Sequence, residues 1–408
     1  NPCRLRSASS SLAEGTIKQF MFDEKIDAIL KSKLFLFLIV FLSILSIIHA
    51  FNLSMSPNGS TDFSLSPAIL FWDKINPYDY YLYSENTDKI IGWQIPIYAH
   101  VTYILFYVFT LFELQTANLV WSILNIFFGI MCGLIVSKYQ KLENYQIIIV
   151  ISIFCISTPF RNCISLGQIT FLILLSFSSI FIQNSILRNL LLGVSYMKYS
   201  FMPVLALTIL FKDGLKALFI SGLFCLLGWI FFSLFLEQNL FYTLLQPLEV
   251  ALNHEIDHLN RGDLFTILGF LKSYEIEFNL DIFRVVMILL VSLYLARDIS
   301  KHNDKLLILS LLLIANLFTF GHLIYDYIVL LPSFVFSFSN RKSIYAKISL
   351  LIILYFWFGI RLKDYIIDFM TNGFFTLSPL SYVTNLQVLI NFLLLVFLYY
   401  MNKKILDK

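Results

Sequence analysis

The chain has 408 residues, of which 58% are hydrophobic and 13% are charged, and its formal net charge is +3 at pH 7. Soluble domains contain about 45–50% apolar and about 25% charged residues, so this composition excludes an ordinary water-soluble fold. The basic residues are spread over short loops and do not form one basic face, which argues against nucleic acid as a partner. Membrane lipids are the predicted surroundings.

Apolar segments recur along the whole chain, and a helix of about 20 residues is enough to cross the hydrocarbon core of a bilayer. The clearest charge-free segments are 34–51, 90–112, 114–137, 164–187, 217–236 and 382–402. Shorter or charge-containing segments follow the same pattern at 146–158, 189–211, 282–296, 305–320, 322–339 and 346–360. The sequence predicts an all-α polytopic membrane protein with about 12 transmembrane or re-entrant helices.

The distribution of charge predicts how the chain is oriented, because Lys and Arg are enriched in cytoplasmic loops. The arm 1–33 is basic, as is the tail 403–408, whereas the loops 52–89 and 237–281 are acidic. We therefore expect the arm and the tail to be cytoplasmic. The chain between them, 34–402, is predicted to be a single membrane domain whose loops 52–89 and 237–281 lie on the external side of the membrane. The expected location is the plasma or inner membrane.

The segment 146–158 is too short to cross the bilayer alone and is followed by TPFRNCISLGQ at 158–168. This pattern indicates broken or re-entrant helices, which membranes tolerate only where the irregular backbone lines a cavity or is buried in protein. The segment is therefore a candidate site.

The first acidic loop carries Asp62 shortly after the first span, followed by an amphipathic stretch from Ser66 to Ile75 that suits an interfacial helix. A carboxylate held at the membrane surface beside an aqueous cavity can act as a general base toward a hydroxyl group. Position alone also fits a solvated loop carboxylate, since most Asp side chains are exposed.

Lys198 and His322 are the other ionisable residues that the sequence singles out. Lys198 lies within an apolar segment, where an unpaired cation costs roughly 2.5–3.5 kcal/mol on insertion scales, so it requires an anionic partner. That partner is either a lipid phosphate or Asp326. His322 precedes Asp326 by four residues, a spacing that brings side chains together on a helix and lets the carboxylate orient the imidazole. Arg161 suits phosphate binding or anchoring at a helix end.

The order of these landmarks resembles the polyprenol-phosphate-mannose-dependent mannosyltransferases of the GT-C superfamily. The residues that carry the resemblance are Asp62, Asn76-Pro77-Tyr78, Pro96 and Tyr98, Gly167-Gln168, Lys198, and His322 with Tyr325-Asp326. The resemblance implies that Asp62 is the catalytic base. It implies donor-phosphate binding by Lys198 and His322, and we expect Arg161 to join them because arginine binds phosphate well. It implies sugar or acceptor binding by Gln168, Asn76, Tyr78, Tyr325 and Asp326.

The second acidic loop contains the string NHEIDHLNRGD at 253–263, which formally includes the HExxH pattern of zinc proteases. A loop of this length has no room for the soluble catalytic domain that such a helix requires, so we predict no metal. The string is expected to contribute loop contacts from His254, Asp257, His258 and Arg261.

These observations predict an inverting hexosyltransferase, with mannose or a related hexose as the transferred sugar. The expected partners are a polyprenyl-phosphate-linked donor, a lipid or glycan acceptor and membrane lipids, and no cofactor is expected. Two alternatives remain: a lipid-linked oligosaccharide flippase or other transporter, and a polysaccharide polymerase. Transporters usually carry repeated halves with matching broken helices, and the sequence has no such repeat.

Overall fold

The computed structural model describes residues 27–57, 59–92, 94–255, 280–320 and 322–359, and a few positions between 390 and 398. Within these ranges the regular structure is helical, which confirms the predicted all-α class. The α-helices, in chain order, are α1 (Lys33–Ser54), α2 (Leu65–Trp72), α3 (Pro77–Tyr83), α4 (Val101–Leu105), α5 (Tyr107–Thr110), α6 (Leu114–Tyr139), α7 (Asn144–Ile156), α8 (Thr158–Ser165), α9 (Thr170–Ser178), α10 (Ser185–Gly193), α11 (Met202–Asp213), α12 (Leu215–Phe235), α13 (Leu240–Glu255), α14 (Leu280–Ile299), α15 (Lys305–Thr319), α16 (Leu331–Ser339) and α17 (Ile344–Leu354). Tighter 3-10 turns lie at Ser179–Phe181, Val194–Met197, Tyr199–Phe201 and Ile324–Leu330, and a π-helical turn at Tyr355–Gly359.

Three of the described helices, α1, α6 and α12, are long and apolar enough to cross a membrane. They match the predicted spans 34–51, 114–137 and 217–236. Their outward surfaces are apolar: on α1, for example, Phe37 is 66% exposed. Such a surface fits contact with lipid, because so large an apolar area is rarely left in water. The total of about 12 segments stays a prediction, and the predicted span 382–402 lies largely outside the described residues.

The helix break predicted after the segment 146–158 is present: α7 and α8 meet at an angle of 59°. Ser157 lies between them in an extended conformation, and its hydroxyl oxygen accepts a hydrogen bond from the amide of Phe160. Pro159 occupies the first turn of α8, where a missing amide hydrogen costs nothing. The sequence Ser-Thr-Pro therefore ends one helix and starts the next.

The predicted spans 90–112 and 164–187 are not continuous helices. The segment 90–112 was expected to be one helix, but helix begins only at Val101 and is interrupted again between α4 and α5. Pro96 cannot donate a backbone hydrogen bond, and Gly92 has a positive φ of 59°. The segment 164–187 is likewise interrupted before Thr170, since Gly167 has a φ of 72°. Hydropathy alone does not detect either interruption.

The predicted span 189–211 is interrupted at Lys198. This residue has an extended backbone (φ −110°, ψ 104°) between two 3-10 turns, with α10 before them and α11 after them. The predicted span 322–339 also begins irregularly, with a 3-10 turn before α16. Irregular backbone at membrane depth is stable only when it is enclosed by protein, and both segments face the same buried interior.

The amphipathic stretch Ser66 to Ile75 packs inside the protein, and its expected position at the membrane interface stays a prediction. The helix α2 ends at Trp72 and most of its residues are buried. Phe71 stacks on Phe232 of α12 with ring centroids 4.9 Å apart, and the indole of Trp72 donates to the carbonyl of Tyr103 at 3.1 Å. The helix packs inside the protein because its aromatic side chains find partners there.

Candidate functional site

The loop that carries Asp62 is held against the chain between α8 and α9. The amide of Ser60 donates to the carbonyl of Ser165 at 2.7 Å, and the amide of Asp62 donates to the carbonyl of Leu166 at 2.9 Å. These two backbone hydrogen bonds join segments more than a hundred residues apart in sequence. They fix the position of Asp62 independently of its side chain.

Gly167 permits this close approach. A Cβ atom added at this glycine would lie 2.8 Å from the Cβ of Phe63 and 3.3 Å from Ser60, and its positive φ of 72° disfavours other residues. Its carbonyl accepts a hydrogen bond from the indole of Trp121 at 2.7 Å. In the Gly-Gln pair of the sequence, Gly167 therefore permits the close contact with the Asp62 loop, and Gln168 contributes its side chain to the site.

The side chain of Asp62 is bound by Gln168. The Gln168 Nε2 donates a hydrogen bond to the Asp62 carboxylate, and the Gln168 Oε1 accepts one from the hydroxyl of Tyr98 at 2.9 Å. Gln168 and Tyr98 are almost fully buried, at 1% and 2% exposure. The expected role of Gln168 was contact with a sugar or an acceptor, and the structure shows that its amide also orients Asp62.

The electrostatic surroundings of Asp62 suit a base. Burial raises the pKa of the Asp62 carboxyl to about 6, while the hydrogen bond from Gln168 and the charge of Lys198 act in the opposite direction. The negative charge of Asp326 raises it further. Proton transfer is most efficient when the pKa of the catalytic group is near the working pH, so this carboxylate is well matched to neutral conditions.

A second group of buried polar side chains lies close enough to influence Asp62. We call it the Asp326 cluster, and its members are Thr170, Lys198, His322 and Asp326. The ammonium of Lys198 forms a salt bridge with Asp326, and the hydroxyl of Thr170 donates to the same carboxylate at 2.8 Å. His322 Nδ1 lies 3.0 Å from the other oxygen of Asp326.

The predicted pairing of His322 with Asp326 is thus present, although the segment is not an α-helix at that point. His322 Nδ1 donates to the carboxylate when Nε2 is unprotonated. Its Nε2 is buried with no hydrogen-bond partner among the described residues. A buried polar atom without a partner is costly, so one is expected to be supplied by a ligand or water.

Of the two partners that the sequence allowed for Lys198, a lipid phosphate and Asp326, the structure shows Asp326. One N–H group is used by Asp326, and a longer contact of 3.4 Å leads to Thr170 Oγ1. The ammonium also lies 5.0 Å from the ring centroid of Tyr325 and 5.7 Å from that of Phe201, distances at which aromatic faces stabilise a cation. An ammonium has three N–H donors, so an anion can still be bound.

Arg161, the third predicted phosphate ligand, lies on α8. Its Nη2 donates to the hydroxyl of Thr158 at 3.2 Å, and the side chain is half-buried. The structure brings Lys198 and His322 together on one carboxylate. The convergence of Arg161 on the same point stays a prediction.

Asn76 and Tyr78, expected to bind sugar or acceptor, have structural partners. Asn76 caps α3, accepting from the amides of Tyr78 and Asp79. Tyr78 is fully buried, and its hydroxyl donates to the carbonyl of Tyr98 at 2.7 Å. Both residues therefore support the segment that carries Tyr98, and a direct contact with sugar stays a prediction.

The two acidic loops meet in a second polar group, which we call the Asp79 cluster. The carboxylate of Asp79 accepts from Gln246 at 2.6 Å, from the hydroxyl of Tyr242 at 2.7 Å and from Gln238 at 3.1 Å. The amide of Asn76 donates to the side-chain oxygens of both glutamines, at 2.6 and 2.9 Å. The loops 52–89 and 237–281 therefore contact each other, as expected for loops on one side of a membrane.

Several predicted positions cannot be placed. Asp257, His258 and Arg261 lie outside the described residues, as does the side chain of His254. In the ranges that are described, no three His, Cys, Asp or Glu side chains are grouped as metal ligands would be.

Sequence reasoning missed Thr170, Asp79 and the two glutamines, and gave Tyr98 no role. Thr170 follows Gln168 by two residues, so the string Gly-Gln-Ile-Thr was the available signal. Asp79 was not distinguished from the other carboxylates of the first acidic loop. No family model, curated protein or solved structure matches the chain.

Proposed function

We propose that the protein is an inverting membrane glycosyltransferase that transfers a sugar from a polyprenyl-phosphate donor to an acceptor hydroxyl. One observation carries this proposal: a half-buried carboxylate with a pKa of about 6 lies within electrostatic range of a buried lysine. A hydroxyl nucleophile requires a base, and a departing lipid phosphate requires nearby positive charge. The site supplies both at neighbouring positions.

In the proposed reaction, Asp62 accepts the proton of the acceptor hydroxyl while its oxygen attacks the anomeric carbon of the sugar. The bond between that carbon and the phosphate oxygen breaks, and the electron pair leaves with the polyprenyl phosphate. Attack opposite to the leaving group inverts the anomeric centre. Negative charge increases on the bridging phosphate oxygen, where Lys198 and His322 stabilise it, an effect that usually dominates catalysis.

Asp326 serves these two residues in the proposal. Its carboxylate holds the ammonium of Lys198 and the imidazole of His322 in one place. The negative charge of Asp326 offsets the charge of Lys198, so that the lysine does not lie unpaired at membrane depth. Arg161 is a further candidate for the phosphate, and Tyr325 lies beside the ammonium of Lys198.

A lipid-linked donor fits an enzyme with lipid-facing helices and a buried site. We place the protein in the plasma or inner membrane, with Asp62 on the external side, from the basic arm and the acidic loops. The donor sugar is proposed to be mannose or a related hexose, as the resemblance to GT-C mannosyltransferases implies.

The experiment is a donor screen with the purified protein in nanodiscs. Polyprenyl-phosphate mannose, glucose and galactose are each incubated with an extract of membrane glycolipids, and released polyprenyl phosphate is measured by mass spectrometry. We expect release with at least one donor, with an inverted linkage in the product. If no donor is consumed above a protein-free control, the proposed function is wrong.

A transporter of lipid-linked oligosaccharides is the second candidate, because the interrupted helices at Lys198 and between α7 and α8 resemble the discontinuous helices of transporters. Reconstituted vesicles with a fluorescent lipid-linked oligosaccharide distinguish the two. Movement across the bilayer without any released polyprenyl phosphate favours transport.

A further inference from the structure

We propose that Tyr98 is a positioning residue that acts through Gln168 to hold the Asp62 carboxylate in its proton-accepting orientation. The proposal deepens the proposed function, since it concerns the base of that reaction. It can nevertheless be tested on Asp62 itself, without turnover.

The first step is the orientation of the Gln168 amide. A side-chain amide has one accepting and one donating end, and the two ends of Gln168 face Tyr98 and Asp62. An ionised Asp62 can only accept, so it requires the NH₂ end. The hydroxyl of Tyr98 donates to the oxygen end at 2.9 Å, which selects the orientation that the carboxylate needs.

The second step is that Tyr98 is itself held firmly. Its carbonyl accepts a hydrogen bond from the hydroxyl of Tyr78 at 2.7 Å. The next residue, Ala99, donates its amide to the carbonyl of Met197 at 2.9 Å. Met197 directly precedes Lys198, so the backbone that carries Tyr98 is bound to the backbone that carries the proposed phosphate ligand.

The proposed role depends on the hydroxyl of Tyr98, whereas a tyrosine that served only for packing would depend on its ring. Loss of its hydroxyl would leave the ring in place and weaken the preference for this amide orientation, which Asp62 alone would then maintain. In the reversed orientation the amide oxygen would face the carboxylate, and like partial charges repel. The Asp62 carboxylate would then accept one hydrogen bond fewer. Because hydrogen bonds stabilise the ionised form of a carboxyl group, the pKa of Asp62 would rise.

The test compares the protonation of Asp62 in Tyr98→Phe and in the unmodified protein. Infrared difference spectra over a pH titration in nanodiscs report the carboxylic C=O band of Asp62, which is assigned by its absence in Asp62→Asn. We expect the midpoint in Tyr98→Phe to rise by about one pH unit, the size of effect that one hydrogen bond to a carboxylate has.

Tyr103→Phe is the matched control. Tyr103 is also fully buried, and its hydroxyl makes a longer contact of 3.4 Å to the carbonyl of Tyr98. The substitution therefore removes a hydroxyl group that does not contact Gln168. Its midpoint should stay at the unmodified value. Gln168→Leu should raise the midpoint at least as much as Tyr98→Phe, and combining the two should add nothing.

An unchanged midpoint in Tyr98→Phe, or an equal rise in Tyr103→Phe, overturns the proposal. If Tyr98→Phe does not fold, 3-fluorotyrosine placed at position 98 keeps the ring and makes the hydroxyl a stronger donor, so the midpoint should fall; a midpoint that does not fall overturns it as well. If the midpoint shifts as expected while no sugar donor is consumed, the positioning role stands and the proposed glycosyltransferase function fails.

Discussion

Two carboxylates of the same loop are bound by glutamine, and they have different surroundings. Asp79 accepts hydrogen bonds from Gln238, Tyr242 and Gln246, all of them neutral donors. Asp62 accepts a side-chain hydrogen bond from Gln168, and its pKa is influenced by the opposed charges of Lys198 and Asp326. Asp79 joins two loops, whereas Asp62 lies beside a buried cation.

The difference shows how a structural carboxylate can be distinguished from a reactive one. A carboxylate has about four lone-pair positions, and the three donors on Asp79 occupy most of them. The pKa of Asp62 is raised by burial, which means that the charged form is incompletely compensated. An incompletely compensated carboxylate is the better candidate for accepting a proton from a substrate.

The largest expected effect is on catalysis by Asp62→Asn. General-base catalysis contributes roughly 10²–10⁴-fold in rate, so transfer should fall by at least about a hundredfold while expression and donor binding stay near normal. Initial rates of polyprenyl phosphate release measure this. The exposed Asp73 supplies a matched control, and Asp73→Asn should transfer sugar at an unchanged rate.

Asp79→Asn tests whether the Asp79 carboxylate is structural, in contrast to that of Asp62. This variant keeps the size of the side chain and disturbs the contact between the loops, so its rate should fall by less than tenfold. Equal losses in Asp62→Asn and Asp79→Asn would show that the two carboxylates do not differ in role.

The next effect is on stability, through Lys198→Met. Removing one partner of a buried ion pair typically costs about 3–5 kcal/mol, because the other charge is left uncompensated. The melting temperature in detergent should drop sharply, and Lys198→Met/Asp326→Leu should recover much of the loss. Gln246→Leu, which removes one neutral donor from Asp79, should cost only about 1 kcal/mol. A milder loss in Lys198→Met than in Gln246→Leu contradicts this view of the two clusters.

Gly167→Ala should displace the Asp62 loop. The new methyl group would lie 2.8 Å from Phe63, and a strained backbone conformation of this kind costs about 1–3 kcal/mol. We expect a lower melting temperature and a lower transfer rate. Gly222→Ala is the matched control, since nothing lies within 4 Å of the added carbon, and a helical position accepts alanine. Similar losses in both variants would remove the special role of Gly167.

The smallest effect is a pH dependence. Burial raises the pKa of Asp62 to about 6, so the folded protein binds this proton more tightly than the unfolded chain does. As pH falls through 6, protonation removes the base while it stabilises the fold. The rate constant kcat/KM should fall about tenfold for each pH unit below that point, without loss of folded protein by circular dichroism. An unchanged rate down to pH 4.5 contradicts the assignment.

The sequence predicted the long spans well and the interruptions poorly, for a physical reason. The helices α1, α6 and α12 match the charge-free segments 34–51, 114–137 and 217–236, in which most residues are apolar. Before Thr170 and at Lys198 the backbone leaves the helix, and there the carbonyls of Ser165, Leu166 and Met197 accept hydrogen bonds from distant parts of the chain. Hydropathy measures side chains and does not record those bonds.

The residues of the candidate site, too, could be predicted only in part. Lys198 and Asp326 were identified because charge inside an apolar run is costly. Asp62 was identified by its place in the loop and by the resemblance to GT-C enzymes. Tyr98, Thr170 and Asp79 were missed because their roles depend on partners far away in the chain, which no local pattern indicates.

The salt bridge between Lys198 and Asp326 also constrains how the protein is made. The two residues are 128 positions apart, so the segment with Lys198 is synthesised well before its counter-ion. Until then the lysine has no fixed anionic partner, and its segment enters the lipid core at a disadvantage of roughly 2.5–3.5 kcal/mol. We therefore expect this segment to stay at the translocation machinery or at the interface until the chain past Asp326 has been made.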